Sequence, residues 1–216
     1  MCKPVELPDL DSITHNDGKR YYVTPSGVRL PSVTTVIGAQ SQDSIQKWRE
    51  RVGEIEANRI SRKASNRGTN MHNLCEKYIN NEPLGQAMPD ALEMFQSIKP
   101  ILNRIDNIHY IEQAFWSETI GMAGRSDLIA EFEGELSVID YKTSSRVKTR
   151  DKILSYFWQT TAYALMYEEL VGRPINKLVI IMAVENDKPI VFIEKTKDHV
   201  KGLVESIKYY KSLDRH

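Results

Sequence analysis

Between Ser41 and Asn80 the apolar positions Ile45, Trp48, Val52, Ile55, Ile60, Ala64, Met71, Leu74, Cys75 and Tyr78 recur mostly at steps of three or four. That spacing predicts helix. Two helices are expected, broken before Arg67-Gly68-Thr69 with Thr69 as a possible cap. One longer helix with Gly68 at a close contact is the alternative. "PDALEMFQSIKPILNRIDN" predicts a further amphipathic helix, with Pro89 in its first turn and a kink or interruption at Pro100. The period then shortens. "IHYIEQAFWSE" alternates imperfectly and reads as a strand, and "SDLIAEF" and "ELSVIDYK" read as two more, joined across "EGE" in a hairpin. Residues 150 to 171 return to helix, ended by Gly172 and Pro174. "NKLVIIMAVE" and "PIVFIEK" are strands split by "NDK", and "DHVKGLVESIKYYKSL" closes the chain as helix. Upstream, "KRYYVTPSGVRLPSVTTVI" predicts a short hairpin or turn around Pro25-Ser26-Gly27.

This order predicts an α/β fold, a mixed central β-sheet flanked by helices with an N-terminal helical region. We expect one domain over residues 1–216: a helical part at about 41–107, a sheet-bearing core at about 108–196 and a C-terminal helix at about 197–213. Length and the 41% hydrophobic content suffice for one substantial core. Lys plus Arg and Asp plus Glu number 29 each, so overall charge points to no partner and distribution has to. No apolar run reaches the roughly 20 residues of a membrane span, and "MCKPVELPDLD" lacks the flank and apolar stretch of a secretory signal. The expectation is a cytoplasmic protein with no membrane partner, in a bacterium or a phage-infected cell, with the mitochondrial matrix second. Cys2 and Cys75 are too few for a four-cysteine metal or iron–sulfur site and suit a reducing compartment.

The chemistry lies in "GMAGRSDLIAEFEGELSVIDYKTSS", residues 121–145. Asp127 stands near the start of one apolar run and Asp140 near the end of the next, with Lys142 two residues on. An unpaired charge buried at a strand end costs several kcal/mol. A divalent cation resolves two such acids at once, because carboxylate oxygens on neighbouring strands make a hard-ligand site for Mg²⁺ or Mn²⁺. On a strand Asp140 and Lys142 project to the same face. Lys142 can then orient a metal-bound water and offset charge on a pentavalent phosphorane. The plain alternative is a turn-capping Asp127 beside an ordinary Asp140–Lys142 ion pair.

Taken in order, "RGTNMHNLCEKY" with His72 and Glu76, then Asp127, then Asp140-Tyr141-Lys142, then "SYFWQTTAYALMY" with Gln159 and Tyr163, resemble the RecB-like exonuclease branch of the PD-(D/E)XK nucleases. Ser126 stands where the literal motif has Pro. Upstream, "LPSVTTVI", "KWRERVG" and "ANRISRKASNRGTNMH" resemble the mitochondrial genome maintenance exonuclease group and its phage relatives, so the likeness runs over roughly residues 30 to 165. The resemblance implies a restriction-endonuclease-like core and a metal site at Asp127, Asp140 and the Tyr141 carbonyl, with His72 binding or positioning a second ion. It gives Lys142 to the attacking water and Glu76, Gln159 and Tyr163 to orienting the metal shell or substrate. Mg²⁺ is the implied cofactor, with Mn²⁺ substituting. The iron–sulfur members need four cysteines, so no such cluster is expected.

Seven basic residues lie between Lys47 and His72 against three acids, and Lys142, Arg146, Lys148, Arg150 and Lys152 form a second cluster against Asp151. Both adjoin the motif in the chain, as a groove tracking a phosphate backbone requires. The nucleic-acid-binding candidates are Arg62, Lys63, Arg67, Arg125, Ser144, Arg146 and Lys148; a merely solvated face is the alternative for the first cluster. Trp48, Tyr156, Phe157 and Trp158 allow base stacking, although Trp48 and Phe157 read first as core. The expected function is a metal-dependent DNA exonuclease acting on single-stranded ends or flaps in replication, repair or recombination. A structure-selective endonuclease of the same family and a non-catalytic single-stranded-DNA-binding module are the alternatives.

Overall fold

The computed structural model describes residues 5–213. Cys2 lies outside them. A small antiparallel sheet opens the chain: β1 (Ser12–Thr14), β2 (Arg20–Val23) and β3 (Arg29–Pro31), with β2 and β3 forming the expected hairpin. Ser32 follows at once and caps the short α1 (Val33–Gly38), its hydroxyl accepting from the Thr35 amide at 3.0 Å. Ser32 also bridges Ala123, which ties this N-terminal unit to the main sheet.

A 3₁₀ turn leads to α2 (Gln42–Val52) and α3 (Glu54–Ile79). The break between these helices falls at Gly53, whose φ of 84° is left-handed, and not before Arg67. Gly68 sits inside the long α3, where a Cβ would meet the Thr143 hydroxyl at 3.7 Å, so the one-helix alternative holds at that position. α2 buries no side chain, and on the first half of α3 Ile55 is 88% exposed. Ile45, Ile55 and Ile60 of the apolar stripe read from the sequence thus face solvent, Trp48 and Val52 are half-buried, and apart from Ala57 continuous burial starts only at Arg67, Met71 and Leu74. α4 (Pro89–Leu102) runs through Pro100 without interruption. Pro100 falls in the last turn, and the amide it lacks would have served the exposed Gln96 carbonyl.

The main sheet has the order β4 (Ile105–Ser117), β5 (Met122–Phe132), β6 (Glu135–Ser144), β7 (Lys177–Val184), β8 (Ile190–Lys195). Every neighbouring pair is antiparallel except β6–β7, which α5 (Leu154–Val171) connects as the crossover. Glu133 and Gly134, both at positive φ, turn β5 back into β6, as a tight hairpin requires. α5 ends on left-handed Gly172, and α6 (Thr196–Leu213) closes the described chain. The sheet carries α5, α6 and α1 on one face and α3 and α4 on the other. Phe115, Ile129 and Val138 belong to the first core layer, and Leu128, Ile139, Tyr141 and Phe95 to the second. α5 is the central helix, buried at Phe157, Tyr163, Met166 and Tyr167. Cys75 is buried between α3 and the sheet.

Candidate active site

Strand register brings three acids into a row. Ile111 pairs with Leu128 and Gln113 with Ser126, which sets Glu112 opposite Asp127; Leu128 pairs with Ile139, which sets Asp127 opposite Asp140. Neither acid pair makes a regular ladder step: Glu112 departs from strand geometry between two intact pairs, and the β5–β6 ladder ends at Leu128 and Ile139. Asp127 Oδ2 instead accepts the Tyr141 amide at 2.8 Å. The row lies on the α5 face, since Asp140 follows Val138 by two residues and Asp127 precedes Ile129 by two.

Helices close over the row from both sides. From α5, Gln159 donates Nε2–H to Asp140 Oδ1 at 3.1 Å. Tyr163, one turn on, is buried against Gly124, where a Cβ would stand 2.9 Å from the Tyr163 hydroxyl and 3.2 Å from Val33. Only glycine fits on β5 there. From α3, His72 Nδ1 stands 3.4 Å from Asp127 Oδ2, and its ring meets Tyr141 edge-on at 5.8 Å. Lys142 Nζ lies 2.5 Å from Asp140 Oδ2 and 5.1 Å from the Tyr156 ring centroid.

The electrostatics follow from burial and pairing. Asp140 is 1% exposed; burial, with Asp127 adding to it, outweighs Lys142 and pushes its carboxyl up to about 6. Burial alone would raise Asp127 too, but His72 beside it holds it below the usual carboxylate range. Burial would depress His72, and the Asp127 carboxylate overrides it and lifts the imidazole to about 9. Glu112 is pushed up to about 7 by burial and by Asp127 opposite. Perturbed titratable neighbours lining one cleft are what makes this the candidate site.

A cavity of about 530 Å³ surrounds these groups. His72, Glu76, Glu112, Asp127, Lys142, Gln159 and Tyr163 line it on one side, and Ser12, Arg20, Tyr22, Ser32 and Thr34 of the N-terminal unit close the other. Among the described residues, His72, Glu112 and Asp127 offer donor atoms within 4.8 Å of one another. Two carboxylates and an imidazole are donors of the kind that hold a divalent metal ion.

The nucleic-acid-binding candidates divide. Arg62 and Lys63 are exposed on α3 and do not line the cavity. Arg67 is not on a solvated face: it is 5% exposed and paired with Glu185 at 2.7 Å. Arg125 lines the cavity but is engaged by Asp9 at 2.5 Å and by the Glu112 carbonyl. Ser144 is buried and donates to the Arg146 carbonyl at 2.6 Å. Arg146 is exposed, and Lys148 Nζ donates to the Tyr156 hydroxyl at 3.0 Å. Phe157 is core, as its first reading had it, and Trp48 is half-buried.

Residues 93–209 match the sequence profile of the PD-(D/E)XK nuclease superfamily, more than half of the chain. The chain belongs to that superfamily. PD-(D/E)XK nucleases use divalent metals, and the donor set above is of the matching kind. The chain is also 28% identical over 130 residues to mitochondrial genome maintenance exonuclease 1 of Homo sapiens, and 29% identical to the Mus musculus protein of that name. Each match covers 55% of this chain, which spans only 38% of either relative's length. A crystal structure of a provisionally named exonuclease from Eubacterium rectale superposes with a TM-score of 0.46 at 10% identity, covering 66% of this chain and 64% of that one. Within this PD-(D/E)XK nuclease, Glu112 is the cavity acid that motif reading misses. Its signal was present: it is the acid that interrupts the alternation of "IHYIEQAF".

Proposed function

We propose that this nuclease is a metal-dependent DNA exonuclease that hydrolyses single-stranded ends or flaps and leaves 5′-phosphates. The supporting observation is Asp127 and Lys142 at the wall of a cavity of about 530 Å³, with Asp140 buried behind them opposite Asp127 and 2.5 Å from Lys142. That volume is in the range of small-molecule sites and is of the size an unpaired nucleotide needs. The exonuclease names of the two mammalian relatives agree with end-directed action.

Asp127 and Asp140 would hold Mg²⁺, together with the Tyr141 carbonyl, and His72 would serve a second ion. A bound ion supplies positive charge to the phosphate and acidifies the attacking water. Gln159 holds one Asp140 oxygen by its hydrogen bond, and Tyr163 lines the cavity one turn on. Lys142 donates to the attacking water and offsets the charge that grows on the phosphate oxygens. The water gives up one proton to solvent as its oxygen bonds to phosphorus, the bond from phosphorus to the 3′ oxygen breaks, and that oxygen takes a proton from solvent in turn.

The experiment offers linear single-stranded, linear double-stranded and circular single-stranded DNA to the wild type and to Asp140→Asn, with Mg²⁺, Mn²⁺ or chelator. Metal-dependent loss of the linear single strand is expected, abolished in Asp140→Asn while DNA binding persists. Cleavage of the circle would make the protein an endonuclease. Binding without cleavage under either metal would make it a non-catalytic module, and an Asp140→Asn rate equal to wild type would remove Asp140 from the mechanism.

A further inference from the structure

Glu112 stands on β4 in a conformation that needs a reason. Its φ is +47°, a left-handed backbone that residues other than glycine adopt uncommonly. The pairs on either side, Ile111 with Leu128 and Gln113 with Ser126, keep their places in the ladder, so the irregularity is confined to Glu112. The guanidinium of Arg125 donates to the Glu112 carbonyl, and Asp9 holds that guanidinium in turn at 2.5 Å. The backbone is therefore clamped where it departs from the strand.

The carboxylate so placed has no hydrogen bond or ion pair with any other described residue. It faces Asp127, a second acid directly across the strands, and like charges in that relation repel. A cation shared by the two acids resolves the conflict, and His72 adds a nitrogen donor within 4.8 Å. Asp140 lies outside this group of donor atoms, with Lys142 Nζ at 2.5 Å and Gln159 Nε2 at 3.1 Å from its oxygens.

We propose that Glu112 is a protein ligand of a divalent cation held jointly with His72 and Asp127, and that Arg125 is its positioning residue. This rests on the metal-dependent reading above and adds to it the donor that the family motif lacks. It also gives Arg125 a role other than contact with nucleic acid.

The test is Mn²⁺ titration of the full chain, by calorimetry and by the electron paramagnetic resonance of the free ion, with thermal melts of the metal-free and Mn²⁺-loaded proteins. Glu112→Gln should bind Mn²⁺ at least 10-fold more weakly and lose most of the Mn²⁺-induced rise in Tm. Its metal-free Tm should equal or exceed that of wild type, because a like-charge pair is gone. Arg125→Gln should weaken Mn²⁺ about 10-fold, the usual effect of removing a group that orients a ligand. Unchanged Mn²⁺ affinity in Glu112→Gln overturns the proposal, as does a lowered metal-free Tm with a full Mn²⁺ response, which would mark a packing role only. Nuclease assays of the same proteins separate the two claims. Robust cleavage with Mn²⁺ binding indifferent to Glu112 sinks the ligand and leaves the function, and absent cleavage with Glu112-dependent binding does the reverse.

Discussion

At Asp140 three environments meet: a buried carboxylate, a lysine at 2.5 Å and an amide at 3.1 Å. Lys142 supplies the closest positive charge to it, while His72 and Asp127 form their own pair. Lys142→Met keeps the volume and removes the charge. It should lower the single-turnover rate about 10²–10⁴-fold, the span typical for loss of a positioned proton-handling group, while DNA affinity stays within a few-fold of wild type. A rate within 10-fold of wild type would assign Lys142 to folding alone. Residues of this kind were legible from the chain because local spacing fixes their relation: Asp140 and Lys142 share a strand face, and Gln159 and Tyr163 share a helix face. Arg67 and Arg125 were not. Their partners Glu185 and Asp9 lie 118 and 116 positions away, and no local pattern shows that a surface-type residue is already engaged. Glu112 showed only as a break in the alternation of its strand, and the left-handed φ that places it beside Asp127 is not visible in that pattern.

Among the elements, α5 does most to assemble the site, carrying Gln159 and Tyr163 inward and packing α6 behind them. The α5–α6 contact is close enough to need glycine. A Cβ on Gly202 would meet the Trp158 ring carbon Cε2 at 2.7 Å. Gly202→Ala gains about 1 kcal/mol of helix propensity but overpacks a tight contact, which costs typically about 1–3 kcal/mol. The clash should win, with a lowered Tm and a changed Trp fluorescence spectrum; a raised Tm would show that the ring moves aside freely. Element boundaries were read well where turn chemistry is local, as at Glu133-Gly134 and Gly172. They were read poorly along α3. There Gly68 marks a close approach to Thr143 and not an end, and Gly53, an exposed glycine between two charged segments, is the real break. Apolar spacing also overstated burial in this region, because Ile45, Ile55 and Ile60 follow the helical period yet face solvent.

For the whole molecule, a formal net charge of zero leaves attraction to a polyanion to local patches. Arg146 makes no salt bridge among the described residues, and Lys148 meets only the neutral Tyr156 hydroxyl, so both charges are uncompensated beside the Lys142 strand. Replacing both by Gln should reduce the slope of log K against log salt for single-stranded DNA by about 1.4, roughly 0.7 for each lost phosphate contact. An unchanged slope would move the strand path elsewhere, to Arg62 and Lys63 on α3. The mixed sheet and its flanking helices were legible from element order, whereas the three-stranded N-terminal sheet, whose β1 and β2 wall the cavity, was visible only as a hairpin.

The parallel pairing of β6 with β7 has a kinetic consequence. Asp140 meets its β7 neighbour Ile180 only after the chain has passed through all of α5, so this contact carries a large loop-closure cost and forms late relative to the β5–β6 hairpin. The same passage delivers Gln159 to Asp140. Burial of the acid and delivery of its hydrogen-bond donor are thus tied to the same helix, and a nascent chain that stops short of β7 leaves β6 on an open edge, liable to pair with another chain.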